Sequence, residues 1–277
     1  MGYCRYCGKP AGFFKYVHEE CKDRHDVCII KFKQAIDDCF NNKINFTDYD
    51  DKFRQIAQNG VISQQEVEKL FQNSFDEFAE KIISRGNITN DELEQIARFK
   101  DITEWSEDRI DCHGFFSKII YNYVKQSIRE GHIPTFHSIP KTECPFVLNN
   151  NEVIIWIFNN VDFYQKKLHK SYSGRSNGVN IRIAKGVYYR TGGHKGNIES
   201  NYSLDYIDSG SLYLTTNGLY YKGSDKYISI PFKKLMTFES DNNCVIVSLK
   251  SSSSNTMKFK HVDPALINDT LTMSMKI

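Results

Sequence analysis

The order of apolar and polar residues changes period once along this chain, near its midpoint. From His18 to about Gly131, apolar residues recur every three or four positions, the repeat of amphipathic helices. Ile29, Phe32, Ile36 and Phe40 form one stripe, and Val67, Leu70, Phe71, Phe75, Phe78 and Ile82 a second. Leu93, Ile96, Ala97 and Phe99 give a third, and Phe115, Phe116, Ile119, Ile120 and Tyr123 a last helix. Two stripes are preceded by capping boxes, Ser63-Gln-Gln-Glu66 and Thr89-Asn-Asp-Glu92, which place a carboxylate three residues after a hydroxyl. Asn59-Gly-Val-Ile-Ser63 echoes Arg85-Gly-Asn-Ile-Thr89 at a spacing of 26 residues. Each reads as a glycine helix stop, an apolar turn and a new N-cap.

After Pro134 and Pro140 the texture becomes alternating, with β-branched and aromatic residues in short runs. Strands are expected at 152–158, 180–183, 186–190, 211–215, 218–221, 226–230, 234–238, 244–249 and 256–260. Asn217-Gly218, Gly223-Ser-Asp225 and Asp241-Asn-Asn243 fall where hairpin turns belong. Asp263-Pro264, an N-cap followed by a first-turn proline, opens a final helix to about Met275.

At 277 residues, with 40% hydrophobic and 25% charged residues, the chain is an ordinary globular one, long enough for two or three domains. No apolar run approaches a membrane span, and the first residues lack a signal-peptide core. A reducing, cytoplasmic setting is therefore expected for the eight cysteines. The net charge of +2 hides two opposed regions. Residues 44–112 carry 16 Asp or Glu against 8 Lys or Arg. Such an imbalance along helices reads as a solvated face, or as a docking surface for a basic partner.

The densest chemistry lies at the amino terminus. Cys4-Arg-Tyr-Cys7 is followed after ten residues by His18-Glu-Glu-Cys21, two ligand pairs with the spacing that encloses tetrahedral Zn2+. Gly8 permits the tight turn after Cys7, and the interval of three puts His18 and Cys21 on one side of a helix start. There the helix dipole favours thiolate over thiol. His25 and Cys28 continue the same helical face, and either can take the place of His18, although the His18-x-x-Cys21 pair has the better spacing. Four protein ligands leave no position for substrate, so the expected cofactor is a structural zinc ion. Tyr6, Phe13, Phe14 and Tyr16 are expected to cover a finger too small for its own core. Together the knuckle, arm and helix-borne pair resemble a treble-clef or zinc-ribbon finger over residues 1–28.

The carboxyl-terminal half also carries a resemblance. Gly210-Ser-Leu-Tyr-Leu-Thr-Thr-Asn-Gly-Leu-Tyr-Tyr-Lys-Gly223, followed by Ile228-Ser-Ile-Pro-Phe-Lys-Lys-Leu235, looks like the bacterial PH/GRAM-like pattern over about residues 150–277. This resemblance implies a PH-like antiparallel β domain closed by a helix, which holds an anion at its early strand loops or serves as a protein-binding scaffold. Between Gln165 and Asn197 lie Lys166, Lys167, Lys170, Arg175, Arg182, Lys185, Arg190 and Lys195, with no Asp or Glu. The glycine-rich stretches Ser171–Gly178 and Thr191–Gly196 are expected loops whose backbone N–H groups and neighbouring cations suit an anion.

The fold class expected is α+β and multidomain: a zinc finger at 1–28, an acidic helical region at 29–133, a linker at 134–150 and a PH/GRAM-like β domain at 151–277. Neither a P-loop nor a dinucleotide fingerprint nor a nucleophile elbow is present. Cys112 and His113 are adjacent, so on a helix they diverge, and they read as buried helix residues. With no catalytic constellation, the expected function is a non-enzymatic intracellular adaptor or sensor. Its partner would be a protein, an anionic ligand or a membrane surface. The alternative is a nucleic-acid-associated regulator using the finger and the basic β segment.

Overall fold

The computed structural model describes residues 2–41, 45–136, 139–173, 179–184, 187–191, 197–250 and 256–275. The chain divides into two compact units, Met1–His137 and Ser138–Ile277.

The first unit begins with a two-stranded hairpin, β1 (Gly2–Tyr3) and β2 (Pro10–Gly12), which leads into a 22-residue helix α1 (Glu19–Phe40). Five more helices follow: α2 (Phe46–Gly60), α3 (Gln64–Arg85), α4 (Asn90–Thr103), α5 (Glu107–Ile110) and α6 (Phe115–Arg129). Both capping boxes form: the Ser63 and Thr89 hydroxyls accept from the Glu66 and Glu92 N–H groups, and each carboxylate accepts from the cap N–H at 2.9 Å. The apolar stripes meet in an aromatic core. Phe40 stacks on Phe78 with centroids 4.3 Å apart, and Phe75 stacks on Phe99 at 5.4 Å. Trp105 packs edge-on against Phe99 at 5.7 Å.

The two echoing turns differ in an informative way. Gly86 ends α3 in the left-handed conformation, with φ of 73°, as a glycine stop should. Gly60 does not play that role. Val61 takes the left-handed position with φ of 50°, while Ile62 N–H reaches the Ala57 carbonyl at 2.9 Å and Val61 N–H the Gln58 carbonyl at 3.2 Å. Gly60 is needed for closeness instead, because a Cβ there would sit 2.5 Å from the Cβ of Cys28 on α1. Gly60→Ala should therefore destabilise the unit by about 1–3 kcal/mol, the cost of overpacking a tight contact. Val61→Gly should not, since it relieves a β-branched residue of a disfavoured conformation. Chemical denaturation of the two variants checks the contrast.

The second unit is a curled antiparallel sheet of seven strands in the order β8-β7-β6-β3-β11-β10-β9. Its strands are β3 (Ile154–Ser173), β6 (Asn197–Thr215), β7 (Gly218–Gly223), β8 (Tyr227–Pro231), β9 (Leu235–Asp241), β10 (Cys244–Leu249) and β11 (Thr256–Lys260). Between β3 and β6 in sequence, β4 (Val179–Ala184) and β5 (Val187–Thr191) pair as a separate hairpin. The closing helix α7 (Pro264–Ser274) starts at Asp263, whose side chain accepts from the N–H groups of Ala265 and Leu266. Its Leu266 and Ile267 are fully buried, as are Val161, Phe163, Tyr221 and Phe259 of the sheet. A second small cluster joins Cys144, Ile154, Tyr213 and Tyr220 with Ile139, Phe146 and Leu148.

All nine sequence-expected strands occur, but β3 and β6 are far longer than alternation indicates. Their pairing continues from Lys166↔Leu204 to Ser173↔Asn197, beyond the last β11 partner at Gln165 and the last β7 partner at Gly210. These eight residue pairs, roughly 25 Å of strand, form a two-stranded ribbon.

Candidate metal centre

The hairpin and the start of α1 bring Cys4, Cys7, His18 and Cys21 together, with one ligand atom from each lying within 4.8 Å of the others. Each position has a local cause. Gly8, at φ of 69°, turns the chain so that its N–H donates to the Cys4 carbonyl at 2.8 Å. Cys4 N–H donates to the Lys9 carbonyl at 2.8 Å, which closes the knuckle. His18 is the N-cap residue of α1, and Cys21 lies in its first turn.

Distances within the cluster suit a tetrahedral ion. Four ligands at ordinary zinc bond lengths stand roughly 3.5–3.8 Å apart along the tetrahedron's edges. Here His18 Nδ1 is 3.3 Å from Cys7 Sγ and 3.8 Å from Cys21 Sγ. The other ring nitrogen, Nε2, lies 3.0 Å from the Pro10 carbonyl oxygen, to which its N–H donates. That bond leaves the Nδ1 lone pair for a metal and orients the ring, the usual outer support of a ligating histidine. The four groups can hold a metal ion.

The thiols differ in acidity. Burial pushes Cys4 up, but the backbone N–H groups of His18, Cys7 and Tyr6 outweigh it and hold the thiol down at about 6. Cys21 is pushed up to about 11, first by burial and then by the neighbouring Cys7 and Cys4. Burial and the two neighbouring thiols thus oppose the influence expected of the helix dipole on Cys21. A dication would reverse the balance by replacing the Cys21 proton.

His25 and Cys28, the sequence alternatives to His18, belong to the helical core. The Nδ1 of His25 lies 2.8 Å from the Gly60 carbonyl, its Nε2 3.4 Å from a Glu66 carboxylate oxygen, and its ring stacks on Tyr6 at 4.5 Å. Cys28 is buried against Gly60. These residues fasten the finger to α2 and α3: Tyr6, between two ligands, lies on His25, which in turn reaches both helices.

Another expectation is reversed. Phe13, Phe14 and Tyr16 do not cover the finger; with Tyr3, they keep 66–94% of their surface exposed. Only Cys4 and Ala11 are buried among the described residues before α1. Cys112 and His113 are not buried helix residues either. Both are exposed in the turn before α6, with His113 Nδ1 2.6 Å from an Asp76 carboxylate oxygen.

Of the eight basic residues expected to form an anion site, Lys166 and Lys167 lie on β3, and Lys166 places its ammonium 4.5 Å from the Tyr202 ring centroid. Lys170, Arg182 and Arg190 occupy positions in β3, β4 and β5. Their side chains, and Arg175, Lys185 and Lys195 altogether, lie outside the described residues, as do most of the two glycine-rich stretches.

Sequence reasoning misses a buried carboxylate. Glu152 has no exposed surface and accepts from the Thr215 hydroxyl at 2.6 Å and from the backbone and side chain of Asn149 at 3.1 and 3.0 Å. Burial pushes its carboxyl up, but the Thr215, Asn149 and Tyr220 donors outweigh it and leave the group below the ordinary glutamate value. The same arrangement, with burial first and the Glu152 contact second, drives Tyr220 up to about 12. All of these partners are satisfied within the fold, so the arrangement reads as a structural clasp. No sequence pattern marks Glu152, because Thr215 lies 63 residues away.

No helix among the described residues is long and apolar enough to cross a membrane. Comparison with protein-family models and with curated proteins finds no match to this chain.

Proposed function

We propose that Cys4, Cys7, His18 and Cys21 hold one structural Zn2+, and that the chain is a non-enzymatic intracellular adaptor or sensor. Its carboxyl-terminal half, read as a PH/GRAM-like domain, engages an anionic surface. Zinc suits the donor set, since three thiolates and an imidazole are borderline-soft ligands and fill all four tetrahedral positions. A closed site of this kind fixes structure and offers no place for substrate.

One observation carries the binding role: residues 165–197, which begin in β3 and end in β6, contain eight Lys or Arg and no carboxylate. Each well-placed cation near an anionic membrane contributes about 1 kcal/mol, so several give useful affinity without a deep pocket. The test is cosedimentation of the metal-loaded chain with vesicles of neutral phosphatidylcholine, alone or with about 30% phosphatidylserine. Binding to the anionic vesicles alone, weakening as salt rises, is the expected result. Equal recovery with both vesicle types at low salt would contradict the reading.

A further inference from the structure

The outward face of the sheet, opposite its core, carries a second kind of chemistry at the root of the ribbon. On β3, Val161 and Phe163 point into the core, so Tyr164, Lys166 and Leu168 alternate onto the other side. Their cross-strand partners on β6 are Tyr206, Leu204 and Tyr202 respectively. Leu168, Tyr202, Leu204 and Tyr206 keep 38–57% of their surface in water, four large apolar residues contiguous on one face. Isolated exposed apolar residues need no explanation, but a contiguous patch marks a contact surface.

Cations are interleaved with it. Besides Lys166 above Tyr202, Lys260 of β11 places its ammonium 4.7 Å from the Tyr164 ring, and Lys258 is the direct cross-strand partner of Tyr164. Asp205 pairs with Gln165 and so faces the other side, while Asp162 at the inner end lies 3.3 Å from His261.

We infer that this face, Leu168 and Leu204 flanked by Tyr202, Tyr206 and the three lysines, lies on an anionic lipid bilayer and buries its side chains at the headgroup boundary. The inference rests on the anionic-surface reading above and adds to it an apolar anchor at a defined place. Charge complementarity selects the occupant: three lysines on the face, in a chain whose residues 165–197 carry eight Lys or Arg and no carboxylate, match anionic headgroups. The apolar component selects a bilayer over single-stranded nucleic acid. Base stacking needs open ring faces. Here Lys166 occupies one face of Tyr202 and Lys260 one face of Tyr164, Tyr164 and Tyr206 pack edge-to-face at 5.6 Å, and the remaining two members are leucines. Tyrosine, leucine and lysine together are an interfacial composition.

The test uses the full-length, metal-loaded chain and the same phosphatidylserine vesicles. Leu168→Ser combined with Tyr202→Ser leaves every charge in place, and both sites are exposed, so the fold should be retained; far-UV circular dichroism checks it. Leu204→Ser with Tyr206→Ser is the independent second pair. Each pair is expected to weaken vesicle binding by about tenfold or more, as expected when two partly buried apolar anchors are removed. The binding that remains should disappear at high salt. Wild-type binding that millimolar inorganic phosphate leaves unchanged supports a surface rather than a free anion. Unchanged affinity in both folded pairs would overturn the apolar anchor while leaving the anionic reading standing. No vesicle binding by the wild type would remove both. Displacement of the protein from vesicles by a single-stranded oligonucleotide would overturn the bilayer assignment in favour of nucleic acid.

Discussion

Cys21→Ser is expected to leave the purified protein with less than about a tenth of the metal that the wild type carries after dialysis against a mild chelator. Structural zinc in small fingers contributes roughly 10–16 kcal/mol of binding energy that is also folding energy. Apart from the Tyr6 stack on His25, residues 2–18 have little else to hold them, since among the described ones only Cys4 and Ala11 are buried and four large aromatics face solvent. Amide exchange should become fast over residues 2–18, and Tyr6 should lose its stack on His25. The helices should survive, because their Phe40–Phe78 and Phe75–Phe99 stacks do not involve the finger. Cys28→Ser is the control that separates a ligand from a buried thiol. It should retain full metal content, because Cys28 packs on Gly60 and takes no part in the cluster. Metal loss in Cys28→Ser with retention in Cys21→Ser would reverse the ligand assignment.

Glu152→Ala should cost the second unit about 2–4 kcal/mol, because the Thr215 hydroxyl and the Asn149 N–H groups lose a charged acceptor in a buried place. For a unit of this size that lowers the melting temperature by roughly 5–15 °C. Glu152→Gln keeps an acceptor for Thr215 but turns an amide donor toward Asn149, so an intermediate loss is expected. The sign of the pH dependence follows from the depressed carboxyl. Its stabilisation is fully present above the unfolded glutamate value, near 4.3, and fades as pH falls through the lower folded value. In an acid titration, the stability gap between wild type and Glu152→Ala should therefore narrow as pH falls through that lower folded value. Curves that stay parallel to lower pH would mean that the carboxylate is not the acceptor on which the clasp depends.

Features written in short spacings are legible in the amino-acid sequence. Both capping boxes, the Asp263-Pro264 helix start and the four-ligand spacing depend on residues within one or two turns, and each forms as read. The spacing favours His18 over His25 without deciding between them, since both lie on one face of the same helix. The choice is made by the Pro10 carbonyl that orients one ring and by the Gly60 carbonyl that captures the other. Cys28, 32 residues earlier in sequence, leaves no room for a Cβ at 60, so Gly60 serves close packing while Val61 takes the left-handed position. The length of β3 is hidden because Lys166–Ser173 is mostly polar and lacks alternation, whereas Tyr202-Ser-Leu-Asp-Tyr206 of its partner β6 does alternate. Strand character in Lys166–Ser173 comes from cross-strand pairing, which single-strand periodicity does not encode.

In the proposed assignment, a closed centre of three sulfurs and one nitrogen holds the amino-terminal finger in place. X-ray absorption at the zinc edge on protein purified without added metal, with the metal content per chain measured on the same sample, tests this assignment most directly. One zinc per chain is expected, with three sulfur ligands near ~2.3 Å, one nitrogen near ~2.0 Å and no bound water. A first shell containing a water oxygen, fewer than three sulfurs, or a protein that folds its finger with no metal at all would contradict the account.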